Sequence, residues 1–187
     1  MTSPAKTIVD LCATGSWPTA LAAADHALRH ELCTHAELIA EVGNLEAGSP
    51  GIVMARLVRD LADPLSMSPG ESLSRAQMFV LNIPRPRLQI SHEDGVGLIG
   101  VVDFDWSGVV GEFDGKVKYR VPPDATAEEA AQILWNEKQR EDRLRRQKLK
   151  VARWIWSEAK DPIALARILA AEGVRVELRN TWLRKAA

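Results

Sequence analysis

The chain has little cysteine: two residues among 187. Cys12 and Cys33 lie far apart and make no C-x-x-C pair. That argues against a zinc knuckle or a disulfide framework and leaves reduced thiols as the expectation. An excess of one charge is missing too, because 24 Lys and Arg face 25 Asp and Glu for a formal net charge of -1. No global positive field advertises nucleic acid, so any such signal must come from local clustering. No apolar run approaches the ~20 residues needed to span a bilayer. The opening Met-Thr-Ser-Pro-Ala-Lys has no signal-peptide core. No membrane partner is expected, and the expected location is cytoplasmic. What is present is ordinary for a globular protein, with 46% hydrophobic and 26% charged residues. The length allows one good-sized domain, or a small helical unit attached to a compact α/β core.

The N-terminal part reads as helical. Ile8, Val9, Leu11 and Cys12 recur at helical spacing up to Gly15-Ser16. Pro18 suits the start of a second helix, whose apolar stripe is Leu21, Ala24, Leu28 and Leu32. Thr34 and Glu37 form a capping-box pattern opening a third, and a fourth is expected over about Ile52 to Leu61. The composition then shifts to turn-forming residues around Asp63 to Gly70. This predicts a boundary between a helical unit, 1–63, and a core, 64–187. Glu71 to Leu81 reads as one more helix, ended by Pro84 and Pro86.

The next stretch is β-rich. Leu88-Gln89-Ile90 alternates, a Gly-rich turn covers Glu93 to Gly97, and Val101 to Trp106 reads as a strand. Ser107-Gly108 then makes a tight connection to a second strand over Val109 to Asp114. A long helix is predicted from about Thr126 to Leu149 and a strand from Val151 to Trp156. A helix opened by Asp161-Pro162 follows, then a short extended segment through Val174, Val176 and Leu178.

The hairpin register follows from its turn. With Ser107 and Gly108 as the loop, Trp106 opposes Val109, Phe104 opposes Gly111, and Asp103 falls opposite Glu112. Opposed Cβ atoms lie roughly 4.5–5.5 Å apart. The strand period of two adds Asp105 and Asp114 to the same face. Like charges placed this way destabilise a sheet, and a hard cation bridging them would relieve the repulsion. The oxygen ligands suit Mg²⁺ or Mn²⁺, with Asp103, Glu112 and Asp114 as candidates. Lys116 and Lys118 follow closely enough to orient a water or to meet phosphate charge. The competing reading is an exposed polar face with screened surface acids.

Several ordered motifs bear on the choice. Val109 to Tyr119 (VVGEFDGKVKY) resembles the hallmark of a PD-(D/E)XK nuclease-like bacterial family related to very-short-patch-repair endonucleases. The family's helical Ser-Pro-Gly-Glu-Ser-x-x-Arg motif is matched by Ser68 to Arg75, and its Asp-Phe-x-Trp strand by Asp103 to Trp106. Its Glu-Lys-x-Arg-Glu-Asp-x-Leu-Arg helix is matched by Glu137 to Arg145, and its Arg-Trp-x-Trp strand by Arg153 to Trp156. The resemblance covers roughly Ala5 to Ala170. It implies a restriction-endonuclease-like α/β fold, a mixed sheet flanked by helices, preceded here by the helical unit. It also implies Glu71, Asp103 and Glu112 around the metal, with Lys116, Lys118 or Lys138 as the active-site lysine and Gln89 nearby. Relatives include antitoxin-like proteins of abortive-infection systems that carry an N-terminal winged helix, and this chain is expected to begin after that domain.

The helix around Glu137 to Lys150 is basic in its C-terminal half. Lys138, Arg140 and Arg145 are its candidate phosphate contacts, against the alternative of a solvated helix with intrahelical pairs such as Glu141 with Arg145. The alternation of Arg153, Trp154, Ile155 and Trp156 predicts core packing on one face. His26 and His30, at i, i+4, lack the Glu of a zinc-protease pattern and read as a polar helix face. The run Ala20 to Ala24 suggests close helix packing, including a homodimer contact. The expected function is a metal-dependent DNA endonuclease serving phage or host defence. The alternative is a catalytically inactive nuclease-like binding module, acting as an antitoxin, immunity factor or DNA-binding regulator with a protein partner.

Overall fold

The computed structural model describes residues 2–115, 122 and 124–183. The protein is mixed α/β, with a helical N-terminal unit and a four-stranded mixed sheet flanked by helices. One compact unit runs to Val80, and a second extends from Leu81 to Trp182.

The helical unit holds α1 (Pro4–Thr14), α2 (Trp17–Arg29), α3 (His35–Gly43), α4 (Ile52–Leu61) and α5 (Pro69–Val80). Their starts follow from local chemistry. Ser3 and Ser16 accept from backbone N–H groups of the first turns of α1 and α2, each with a proline at the helix start. Thr34 and Glu37 close the expected capping box on α3. α4 instead starts from Gly51 at φ 75°, where a Cβ would lie 2.3 Å from the Cys12 carbonyl oxygen. Only glycine suits both the conformation and the space.

The core of this unit is built from small and branched residues, among them Ile8, Val9, Ala20, Ala24, Leu38, Ala55 and Val58. Ala20, Leu21 and Ala24 are fully buried, so the small-residue run is used for packing within the unit. Leu32, expected in the stripe of α2, lies beyond the end of that helix and is exposed.

The division of the chain falls later than the turn-rich stretch suggests, because α5 belongs to the helical unit. Arg75 of α5 reaches Asp25 of α2 at 2.6 Å, Ser72 Oγ donates to the same carboxylate at 2.7 Å, and Trp17 Nε1 donates to the Ala76 carbonyl at 3.2 Å. A composition shift marks a turn, and these buried bonds decide on which side of it the helix packs.

The second unit carries β1 (Arg87–Asp94), β2 (Gly97–Trp106), β3 (Val109–Phe113), α6 (Ala127–Arg146), β4 (Lys150–Trp154), α7 (Trp156–Lys160) and α8 (Pro162–Glu172). The sheet order is β1-β2-β3-β4. The first two pairs are antiparallel, and β3 and β4 are parallel. A parallel pair needs a long crossover, which α6 supplies. Thr126 and Glu129 cap α6 as a second capping box. The helix stops at Arg146, short of the expected Leu149.

The sheet's aromatic packing joins β2 to β4. Phe104 lies 5.2 Å from Trp154 and 6.2 Å from Trp106, ring centre to ring centre. Gly111 makes room for both indoles, since a Cβ there would stand 2.7 Å from Trp154 and 2.9 Å from Trp106. A second cluster joins Ile99, Val102, Val110 and Val151 to Leu144 of α6. β4 ends at Trp154, and the expected strand to Trp156 turns helical instead. Glu158 there accepts the Ile155 N–H at 2.9 Å, and Trp156 sets its ring edge-on to Phe113 at 5.1 Å. No strand forms over Val174 to Leu178 among the described residues.

A candidate active site on the β2–β3 hairpin

The hairpin has the register its turn predicts. Trp106 pairs with Val109, Asp105 with Val110, and Phe104 with Gly111. Gly108 takes φ 88° in the turn, a conformation that favours glycine. The next positions bring Asp103 beside Glu112, and the Phe113 N–H donates to Asp103 Oδ2 at 2.9 Å. Gln89 of β1 donates to Asp103 Oδ1 at 3.4 Å. Burial pushes the Asp103 carboxyl above the usual aspartate value. The Glu112 charge adds to this, while the Phe113 and Gln89 hydrogen bonds and Arg140 oppose it.

Glu112 is almost fully buried, and its charge is met by two guanidinium groups. Arg140 of α6 places Nη2 2.5 Å from Oε1, and Arg153 of β4 places Nη2 2.9 Å from Oε2. The second contact is ionic and lacks hydrogen-bond alignment. Among the described residues, Glu112 Oε2 and Arg153 Nε are the buried side-chain atoms left without a hydrogen bond. Such an atom ordinarily costs about 1–3 kcal/mol.

Both arginines are shared. Arg140 also meets Glu137 Oε1 at 3.2 Å and donates to the Val101 carbonyl at 2.9 Å. Arg153 contacts Glu137, Glu141 at 3.5 Å and Asp114 at 4.0 Å. Beside them lies an open groove of about 560 Å³, lined by Ile99, Ile133, Glu137, Arg140 and Arg143 among others.

Of the expected site residues, Glu112 and Asp114 therefore meet Arg153, Arg140 meets Glu112, and the charges of Glu112 and Arg140 act on Asp103. Asp105 is buried and held separately, by Arg87 at 3.1 Å and His92 at 2.9 Å. Lys116 and Lys118 lie outside the described residues. Lys138 stands 5.9 Å over the Trp135 ring, and Arg145 pairs with Glu141 at 2.9 Å, as the i, i+4 spacing suggests. Glu71 lies in the helical unit. There its carboxylate accepts the Met67 N–H and the Ser68 hydroxyl, each at 2.8 Å, which caps α5. The rings of His26, in α2, and His30, its C-cap, lie 4.3 Å apart and tilted by 45°.

Arg153 is the site residue that sequence reasoning missed. It stands opposite Glu112 in the parallel β3–β4 register. Strand alternation identifies a face, but a register across a crossover leaves no local sequence mark. In the sequence Glu137 stands only within a motif, and the structure makes it the bridge between Arg140 and Arg153.

A divalent cation fits the oxygen chemistry of this hairpin but not its present arrangement. Two guanidinium groups already meet Glu112, and both Asp103 oxygens accept hydrogen bonds. Among the described residues, no group of three or more His, Cys, Asp or Glu side chains converges as metal ligands.

No family model matches the chain, and no solved structure matches it. An uncharacterized protein of Mycobacterium tuberculosis strain CDC 1551 / Oshkosh is 36% identical over 105 residues, covering 56% of this chain. A protein of strain ATCC 25618 / H37Rv, likewise uncharacterized, matches with the same figures. The chain spans 38% of the length of these curated relatives. No helix among the described residues is long and apolar enough to cross a membrane.

Proposed function

We propose that the sheet unit is a nuclease-type module of the PD-(D/E)XK kind that acts on the phosphodiester backbone of DNA. The observation that carries this reading is the buried Glu112 with the half-buried Asp103 beside it on a hairpin, with arginines and an open groove next to them. A hairpin gains no stability from two adjacent acids, and this favours a chemical use for them. The order of the sheet unit's motifs, from Asp103 to Trp156, supports the same reading. Mg²⁺ or Mn²⁺ is the cofactor it calls for, supplying charge at the scissile phosphate. Asp103 and Glu112 offer the oxygens. Arg140 and Arg153 offer planar forks that match phosphate. Exposed Lys138 and Arg145 on α6 suit contacts to the DNA backbone, which position a duplex without reading it. A cytoplasmic setting, in which the buried Cys12 and Cys33 remain thiols, agrees with this use.

A second reading is favoured by one specific observation, the two guanidinium groups standing on Glu112. It takes the module as a nuclease-like binding protein without cleavage, in the manner of an antitoxin, immunity factor or regulator. Plasmid nicking in Mg²⁺ and in Mn²⁺ separates the two. The expected result is nicking by the wild type that Asp103→Asn and Glu112→Gln each abolish. Equal activity in all three proteins would exclude the hairpin as the site, and no activity together with a stable DNA or protein complex would favour the binding module.

A further inference from the structure

α6 is anchored near its C-terminal end, where Leu144 is buried in the sheet's second cluster. Ahead of that anchor, Leu134 and Trp135 stand 56% and 51% exposed. An exposed indole alone decides nothing, but its surroundings do. Its neighbours on the helix surface are Ala131, Gln132, Lys138 and Gln139. The Lys138 ammonium lies 5.9 Å over the indole ring. Arg145, half exposed, continues the Lys138 stripe two turns further on. From Glu137 to Arg146 the helix has five cationic side chains against three acids. Gln139 opens onto the groove of about 560 Å³, whose wall also carries Asn136, Arg140 and Arg143. An apolar protein surface docked on this ring would desolvate the amides and cations around it, at a cost. A DNA strand matches them instead. Its phosphates are drawn to the cations, and a base stacks on the ring. The cations meet the phosphates of single and double strands alike. The ring does not, because a duplex keeps its bases stacked on one another and offers no free base face.

We propose that this face of α6 takes an unpaired DNA strand, with one base stacked on Trp135 and the flanking phosphates on Lys138 and Arg145. This inference rests on the reading that the module acts on DNA, and it narrows that DNA to a single strand. Binding here is sequence-tolerant, because every base has a face to stack. It needs no metal ion, since the contacts are made by the indole and by the protein's own cations.

The test is fluorescence anisotropy of a short labelled oligo-dT strand titrated with the full chain in EDTA, beside the same strand annealed to oligo-dA. The wild type is expected to bind the single strand more tightly than the duplex. Trp135→Ala should weaken single-strand binding at least about tenfold, or about 1.4 kcal/mol, the scale of one lost base–aromatic stack, and leave duplex binding unchanged. Trp135→Phe, which keeps a ring, should restore most of the loss. Arg145→Gln should weaken both forms alike and flatten the salt dependence of each. Unchanged single-strand affinity in Trp135→Ala would overturn the proposal, as would an equal loss on strand and duplex. A wild-type dimer in sedimentation that Trp135→Ala dissolves, with strand binding intact, would overturn it by giving the face to a second copy. Plasmid nicking with no Trp135 effect on strand binding would leave the nuclease reading standing and sink this inference alone. A Trp135-dependent preference for the single strand without nicking would uphold the inference in a binding module.

Discussion

Each unit of the protein buries a carboxylate against arginine, and the two arrangements differ in how completely they are closed. In the helical unit, Asp25 accepts from Asp63 N–H at 2.8 Å, from Ser72 at 2.7 Å and from Arg75 at 2.6 Å, and Arg75 continues to the Leu61 carbonyl at 2.5 Å. The Arg75 and Asp25 side chains are 2% and 0% exposed. Burial still lifts the Asp25 carboxyl above its usual value, although Arg75 and the hydrogen bonds pull it down. In the sheet unit, the arginines on Glu112 are partly open and shared, and two atoms are left unsatisfied. A closed network of short, dedicated bonds is how a fold holds one conformation. An open one, bordering a groove, keeps partners that can be traded.

The largest effect should separate the two networks. Arg75→Ala leaves Asp25 as an uncompensated buried charge and is expected to cost about 3–5 kcal/mol in urea denaturation. A loss below about 1 kcal/mol would mean that the closed network is not structural. Gly111→Ala tests the hairpin's packing. Its methyl group meets two indoles, so a cost of about 1–3 kcal/mol from overpacking is expected by the same measurement. Glu112→Gln should cost less, about 1 kcal/mol, because Arg140 and Arg153 keep Glu137, Glu141 and Asp114 as partners. A cost equal to that of Arg75→Ala would erase the contrast between the two units.

Asp103→Asn should change stability in the opposite direction. The folded chain holds the Asp103 carboxyl above its ordinary value, so between the two values it binds more protons than the unfolded chain. The contribution of this group therefore falls as pH rises through that window. Removing the charge should stabilise the protein at neutral pH, with the gain shrinking as pH drops through the raised Asp103 value toward the ordinary aspartate value. Thermal melts of both proteins across pH check this, and a gain independent of pH would contradict it. The smallest effect belongs to Arg145→Ala. It breaks an exposed i, i+4 pair with Glu141 and is expected to cost about 0.3–0.5 kcal/mol, fading with added salt.

Much of this was legible in the chain. Thr34 with Glu37 and the prolines of α1 and α2 announced their helix starts, because capping uses side chains within one turn of the backbone they serve. The Ser107-Gly108 turn gave the β2–β3 register, because a two-residue loop leaves a strand one way to fold back. What failed to show depended on distance along the chain. Glu71 belongs to a motif, but its use as the cap of α5 is a matter of which backbone donors lie in reach. The strand expected to run to Trp156 stopped at Trp154, where a cap and an aromatic contact outweighed alternation.

The sequence by itself determined the capped helix starts and the hairpin register at Phe104–Gly111, Asp105–Val110 and Trp106–Val109, each governed by residues within about a dozen positions of one another. Only the tertiary structure decided what surrounds Asp103 and Glu112. The crossover through α6 sets β4 parallel to β3, and this brings Arg153 and Arg140 onto Glu112 from positions far along the chain. Local spacing cannot encode such a register, because loop closure and side-chain packing choose it together.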